Sequence, residues 1–258
     1  MHNDFDHIAQ TYDVDFTFSE IGKLQRKLVY DVLKKIPENQ HILELNCGTG
    51  EDAIWFSKRG NKVISTDISQ QMLQIARQKG VNEKNIIFEL LDIRKLNPEK
   101  YNEKFDLIFS NFGGMNCVNE NDFLKFLKNA SNILEKQGKL ILVIMPKFCL
   151  WESLYFLIKG KWKIIFRRNT ANIVKANIDG VHINTWYFNT SDVKNLASDF
   201  KIAMVKPIGF FIPPSYLEPF FKRNLKLLRI LGKMENKIRK FSFLANYSDH
   251  YLIELEKQ

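Results

Sequence analysis

His41-Ile-Leu-Glu-Leu-Asn-Cys-Gly-Thr-Gly-Glu-Asp-Ala53 decides the fold, because an apolar strand runs straight into two glycines and then into a helix. Ile42, Leu43 and Leu45 predict a short buried strand. Gly48 and Gly50 allow positive φ and close backbone approach to a ligand. Ala53, Ile54 and Phe56 give the next helix its apolar side, and Gly60 is placed to end it. The first-turn N–H groups of that helix lack intrahelical partners and face the ligand.

Outward from this segment the pattern repeats. Residues 62–66 predict a second strand ending at Asp67, then a helix over about 70–79 with Met72, Leu73 and Ala76 inward and Gly80 as its stop. Residues 85–91 predict a third strand ending at Asp92. Glu44 lies near the end of the first strand. In a parallel α/β sheet these ends share one edge, where ligands bind. The spacing Gly48-x-Gly50-x-x-Ala53 also fits a dinucleotide fingerprint, so the glycines alone leave NAD open. The acids discriminate better. Glu44 would repel a pyrophosphate, whereas S-adenosylmethionine offers a sulfonium, an ammonium, a ribose diol and an adenine amine to carboxylates.

With its acid followed by a glycine pattern, Glu44-Leu-Asn-Cys-Gly-Thr-Gly50 resembles the first motif of the class I S-adenosylmethionine-dependent methyltransferases. Asn46 stands where that family usually has its first glycine, a change that Asn tolerates because it enters positive φ more readily than most residues. The resemblance covers roughly residues 38–146. It implies a Rossmann-like, seven-stranded, mostly parallel sheet with S-adenosylmethionine held by Glu44, Asn46, Cys47, Gly48, Thr49 and Gly50. Asp67, seventeen residues past Gly50, would take the ribose hydroxyls. Ile68 and Met72 would pack on the adenine, although Met72 also suits plain core. Asp92 and Ile93 would meet the adenine amine and ring, the alternative for Asp92 being a loop cap. Residues 104–110 predict the fourth strand, and Ser110, Asn111 and Phe112 would line the methyl-transfer end. The loop 111–116 lacks the Pro-Pro-aromatic signature of adenine amino-methyltransferases, which argues against a DNA adenine enzyme.

The segment 5–16 is acidic and aromatic without clear periodicity and reads as an arm. The resemblance implies that Tyr12 folds over the cofactor; anchoring at the surface is the other reading. An amphipathic helix follows over 20–35, written by Ile21, Leu24, Leu28, Val32 and Leu33; Arg26, on the opposite face, is expected to be solvated, the other reading being that it reaches a cofactor carboxylate. A helix is expected over about 121–137, capped by Gly138, and a buried strand over 139–145. Residues 147–180 interrupt the rhythm as a lid insertion. Residues 182–188 alternate as a strand or ribbon, and a capped helix begins at Thr190. Residues 200–208 read as a strand, 210–246 as a second, aromatic and basic insertion, and 250–256 as a last strand, antiparallel and at or near the sheet edge in the resembled family. The expected units are an arm and helix (1–36), a cofactor core (37–146), a lid (147–180) and a C-terminal half (181–258).

The net charge of +9 is concentrated. Residues 147–170 carry six Lys or Arg against one acid, and residues 216–243 carry eight against two. The basic character therefore concerns an acceptor, a surface or a partner rather than the cofactor. Cys47, Cys117 and Cys149 show no paired ligand spacing, and no metal is expected. No apolar run reaches the roughly 18–20 residues that span a bilayer, and a cytoplasmic protein is expected. Methyl transfer needs alignment more than proton transfer, so a base is optional; His182, then Asp13, are the candidates. The expected function is methylation of a small hydrophobic acceptor (lipid, quinone, polyene or aromatic metabolite), with peripheral attachment to anionic membrane and no nucleic acid. RNA or protein methylation, a non-catalytic scaffold and an NAD(P)-dependent oxidoreductase are the rivals. The sequence does not set the oligomeric state.

Overall fold

The computed structural model describes residues 4–178 and 180–258. In chain order the strands are β1 (His41–Leu45), β2 (Lys62–Asp67), β3 (Ile86–Leu90), β4 (Phe105–Ser110), β5 (Leu134–Ile144), β6 (Val174–Ile178), β7 (Val181–Thr185), β8 (Phe200–Ile208) and β9 (His250–Lys257). The helices are α1 (Glu20–Leu33), α2 (Glu51–Ser57), α3 (Gln70–Lys79), α4 (Glu120–Ile133), α5 (Leu150–Ile158), α6 (Thr190–Leu196), α7 (Glu218–Phe221) and α8 (Leu225–Ile238). Seven strands form one sheet in the order β3-β2-β1-β4-β5-β9-β8, while β6 and β7 pair as a separate antiparallel ribbon. The five strands from β3 to β5 run parallel; β9 runs antiparallel to both neighbours. Strand order reverses between β1 and β4, which opens the ligand crevice beyond their C-terminal ends.

Alternation explains why the central strands read as near-continuous apolar runs. Leu43, Leu45, Ile108, Leu140 and Leu142 pack on one face with Phe123, Phe126 and Leu127 of α4. Ile42, Val63, Leu107, Phe109 and Ile141 pack on the other with Leu28, Val29 and Val32 of α1 and Phe56 of α2.

The end of α4 and the arm differ from expectation. Helix α4 stops at Ile133 rather than near 137, because Leu134 is already fully buried and paired with Phe105. Gln137 then takes φ 63°, and the register shifts between Phe105 and Leu107. Gly138 serves this irregularity instead of a helix cap, since a Cβ there would lie 2.8 Å from the Glu135 carbonyl oxygen. The arm also gains structure that its local pattern does not show: short helical turns at Asp4–Asp6 and Asp13–Thr17, with Ile8 and Ala9 buried against Met72.

The two insertions clasp one another. Tyr155 lies 5.3 Å from Tyr216, and Trp151 meets Phe221 edge-on at 5.9 Å. Helix α8 crosses α1 where Gly232 faces Leu24. Glu235 ties that helix to the preceding loop by accepting from the N–H groups of Gly209, Phe210, Phe211 and Ile212. Among the described residues no helix is long and apolar enough to cross a membrane.

Candidate active site

The β1–α2 loop is held from two sides. Asp67, at the end of β2, accepts from Gly48 N–H at 2.8 Å and from Ser69 N–H at 2.8 Å. Gly50 takes φ 79°, and a Cβ there would come within 2.9 Å of Ala76 on α3. Asn46 takes φ 47°, and its side chain pins the β4 loop: it accepts from Ser110 Oγ at 2.6 Å and donates to the Asn111 carbonyl at 3.0 Å. Gly114 must lack a Cβ because that atom would fall 2.0 Å from Asn46 Cγ. Phe112, next in the loop, sits at φ 41°, a costly conformation for an aromatic residue and a mark of functional loops.

Two buried carboxyls at this edge are poised for cations and donors. Burial, then the Asp52 charge, raises the Glu44 carboxyl well above its ordinary value, while the Ser65 hydroxyl bonded to it at 2.7 Å pulls the other way. Burial likewise raises Asp67 against the pull of its backbone donors. An arriving ammonium or a pair of ribose hydroxyls would stabilise the ionised forms. Asp92 sits differently: it caps the turn Ile93–Lys95 and is paired with Arg94 at 2.7 Å. Ile68 is exposed, Met72 and Ser110 are buried, Ile93 is half-buried, and the Cys47 thiol is pushed up by burial.

The arm closes over this edge. Tyr12 packs beside Gly48, 3.7 Å from where a Cβ would stand, and burial pushes its hydroxyl up to about 12. Asp13 accepts from Thr49 Oγ1 at 2.6 Å and from Lys79 Nζ at 2.9 Å, so it works as a clamp between arm, loop and α3. Phe16 meets Phe112 edge-on at 5.0 Å. Candidate base His182 lies exposed on β7, while its neighbour Ile183 is buried and Val181 packs toward Met72.

The expectation of a solvated Arg26 is overturned. Arg26 is 8% exposed, ion-paired with Asp52, and stacked over Phe112 at 5.2 Å. Tyr30 and Asn111 complete the cluster by donating to Asp52 at 2.7 and 2.8 Å. Arg26 Nε is buried without a hydrogen-bond partner, an unmet donor beside Phe112. Gly22 and Gln25, both buried, are the signal that this side of α1 also faces inward. Beyond Phe112 lies a second polar cluster that sequence reading missed. Arg168, one of the lid's basic residues, is buried and bonded to Glu152 at 3.0 Å and to Asp249 at 3.2 Å. Arg167 also turns onto Glu152, at 2.9 Å.

Residues 42–138 match the model of a family described as a methyltransferase domain. The putative methyltransferase YqeM of Bacillus subtilis is 30% identical over 118 residues, 45% of this chain and 47% of that protein. The matched part thus spans about half the length of that curated relative. Over this central stretch the chain is similar to methyltransferases. A demethylmenaquinone methyltransferase of Staphylococcus epidermidis is 28% identical over 166 residues, covering 60% of this chain and 66% of that one. The fold agrees with a putative S-adenosylmethionine-dependent methyltransferase from Listeria monocytogenes at TM-score 0.62 and 16% identity, over 91% of this chain and 98% of the other. The polar groups at this edge would fit S-adenosylmethionine: Glu44 and Asp67 are buried carboxyls that an ammonium and a ribose diol could meet, and Arg26 Nε is an unmet donor that a carboxylate could meet.

Proposed function

We propose that this methyltransferase methylates a small hydrophobic acceptor that it draws from an anionic membrane surface. The observation that carries this reading is an apolar stripe on the outside of α8. Leu227, Ile230 and Met234 are exposed at helical spacing, opposite the buried Leu228, Gly232 and Glu235, and Lys226, Arg229 and Lys233 flank them in solvent. The lid adds Ile158, Trp162 and Phe166, which are 83%, 69% and 63% exposed, among Lys159, Lys161 and Lys163. Exposed apolar side chains interleaved with cations suit an anionic interface, where each cation near the surface adds about 1 kcal/mol. A demethylmenaquinone methyltransferase among the relatives supports a hydrophobic acceptor.

In this reading Asp67 binds the ribose diol, Glu44 the cationic end and Arg26 the carboxylate of S-adenosylmethionine, while Asp92 and Ile93 flank the adenine. Bound there, the cofactor supplies an electrophilic methyl group. Tyr12 and Phe16 exclude water, and Phe112 orients the acceptor. The units 1–36, 37–146, 147–180 and 181–258 then act as cover, cofactor core, membrane-side lid and acceptor half. Sedimentation with anionic and neutral liposomes, beside an RNA gel-shift at physiological salt and a labelled-methyl assay on lipid extract, tests it. Binding to anionic vesicles with label passing into the extract is expected; RNA binding without vesicle binding would reverse the choice of acceptor.

A further inference from the structure

Strand β9 begins on His250, and because β9 is antiparallel its start lies at the same sheet edge as the C-terminal ends of β1, β4 and β5, with Tyr251 opposite Ile144. His250 is 8% exposed. Its ring meets Phe112 edge-on at 5.7 Å, so it stands behind the residue that closes the methyl-transfer end of the cofactor cleft. Nδ1 lies 3.1 Å from Asp249 Oδ2, off the line of a formed hydrogen bond. Loose geometry of this kind is usual where a catalytic pair tightens only with substrate bound.

The surroundings fix Asp249 as an anion. Gln25 Nε2 donates to it at 3.2 Å and Arg168 Nη2 at 3.2 Å. Against the cost of burial, His250 and Arg168 hold its carboxyl far below the carboxylate range. The other ionisable groups packed on this corner include Glu152, bound to Arg168, the Cys149 thiol, 4.0 Å from Asp249, Tyr187, whose ring lies 5.1 Å from the Arg168 guanidinium, Tyr216, and Arg26, over the same Phe112 ring. No hydrogen bond to His250 Nε2 occurs among the described residues. An anion beside Nδ1 favours the tautomer protonated there, which leaves the Nε2 lone pair for a substrate proton.

Resting on the methyl-transfer reading above, we infer that His250 is the general base for an acceptor bearing an aromatic hydroxyl, with Asp249 as its positioning residue. His250 Nε2 takes the hydroxyl proton while the acceptor oxygen bonds to the methyl carbon, leaving the electron pair of the broken C–S bond on sulfur. The products are an aryl methyl ether, a neutral thioether and an imidazolium whose charge Asp249 balances. Phe112 and Phe16 supply the ring faces against which an aromatic acceptor lies.

The test uses the full chain, S-adenosylmethionine and a set of alkylphenols and nitrophenols of graded acidity. General-base loss is on the order of 100-fold or more. His250→Gln should therefore lower kcat by about 100-fold on weakly acidic alkylphenols, with KM and calorimetric affinity for S-adenosylhomocysteine within about twofold and little loss on already ionised nitrophenols. Nitrogen NMR of the imidazole, assigned by the spectrum of that variant, should show Nδ1 protonated and Nε2 bare; Asp249→Asn should scramble this tautomer and lower kcat without changing cofactor affinity. An equal loss across the acidity series, an unchanged kcat, or a proton on Nε2 in the wild type would overturn the assignment. No methylation of any phenol by wild type that binds the cofactor normally would overturn it too, whereas failure to bind the cofactor would strike the methyl-transfer reading itself.

Discussion

Asn46 and Gly114 act as a matched pair: one fills the space that the other leaves. Gly114→Ala drives a methyl into Asn46 and should cost about 1–3 kcal/mol, as overpacking does. Asn46→Gly in the same chain relieves that clash while giving up the bonds with Ser110 and Asn111, so the two substitutions should be non-additive, a coupling that a double-mutant cycle by urea denaturation measures. Asp67→Ala removes the acceptor assigned to the ribose and should weaken S-adenosylmethionine binding by roughly 1.5–3 kcal/mol in calorimetry; unchanged affinity would remove Asp67 from the site. The places of Asp67 and Glu44 at the C-terminal edge of the sheet were legible in the sequence, because Asp67 ends one strand and Glu44 stands one residue before the end of another. The burial of Arg26 and the place of His250 were not. Arg26 sits three residues before Val29 on a helix whose inward arc is wider than the Leu24–Leu28 stripe suggests, and its partner Asp52 is 26 residues away. His250 acquires meaning only when an antiparallel strand returns it beside Phe112.

The arm and helix α8 were each half legible, since their composition is visible but their partners are distant. Burial alone would raise the Asp13 carboxyl, yet hydrogen bonds from Thr49 and Lys79 outweigh it and hold the group below its ordinary value. A carboxyl whose pKa falls on docking stabilises the docked state above the free value and loses that contribution as pH drops through the docked one. Hydrogen-exchange protection of residues 5–16, corrected for intrinsic rates, should therefore fall as pH drops below about 4, and Asp13→Asn should abolish that dependence. Glu235 shows the opposite balance: burial raises its carboxyl despite four backbone donors. A buried donor left unpaired costs roughly 1–3 kcal/mol, so Glu235→Ala should lose about 3 kcal/mol or more in thermal unfolding. A heptad-like reading of 225–238 finds leucines but not which of them turn outward, because Glu235, a charged residue, takes an inward place. The early end of α4 escaped for a related reason: residues 135–137 are polar and helix-compatible, and only pairing of Leu134 with Phe105 across the sheet commits the chain to a strand.

At the scale of the molecule the excess basic charge and most of the exposed large apolar side chains lie on the two clasped insertions, while the cofactor edge belongs to the sheet. Not all of the lid's charge is available to a surface, since Arg167 and Arg168 are spent on Glu152. The exposed cations that remain are lysines and arginines around α8 and after α5, and they should act additively with insertion of the apolar stripe. Reversing Lys226 and Lys233 to glutamate changes four charge units at the interface; at about 1 kcal/mol for each surface cation, affinity for anionic vesicles should fall by on the order of 2–4 kcal/mol. Ile230→Glu should weaken it by a further 1.5–3 kcal/mol or so, by withdrawing one inserting side chain and adding an anion. Both variants change solvent-facing positions, so thermal unfolding should stay within about 0.5 kcal/mol of wild type. Raising salt should weaken the wild type's vesicle binding more than that of the charge-reversed form, because screening acts only on the electrostatic part. Vesicle binding that survives both substitutions would move the membrane surface away from α8, and affinity for neutral and anionic vesicles alike would remove the cations from its explanation.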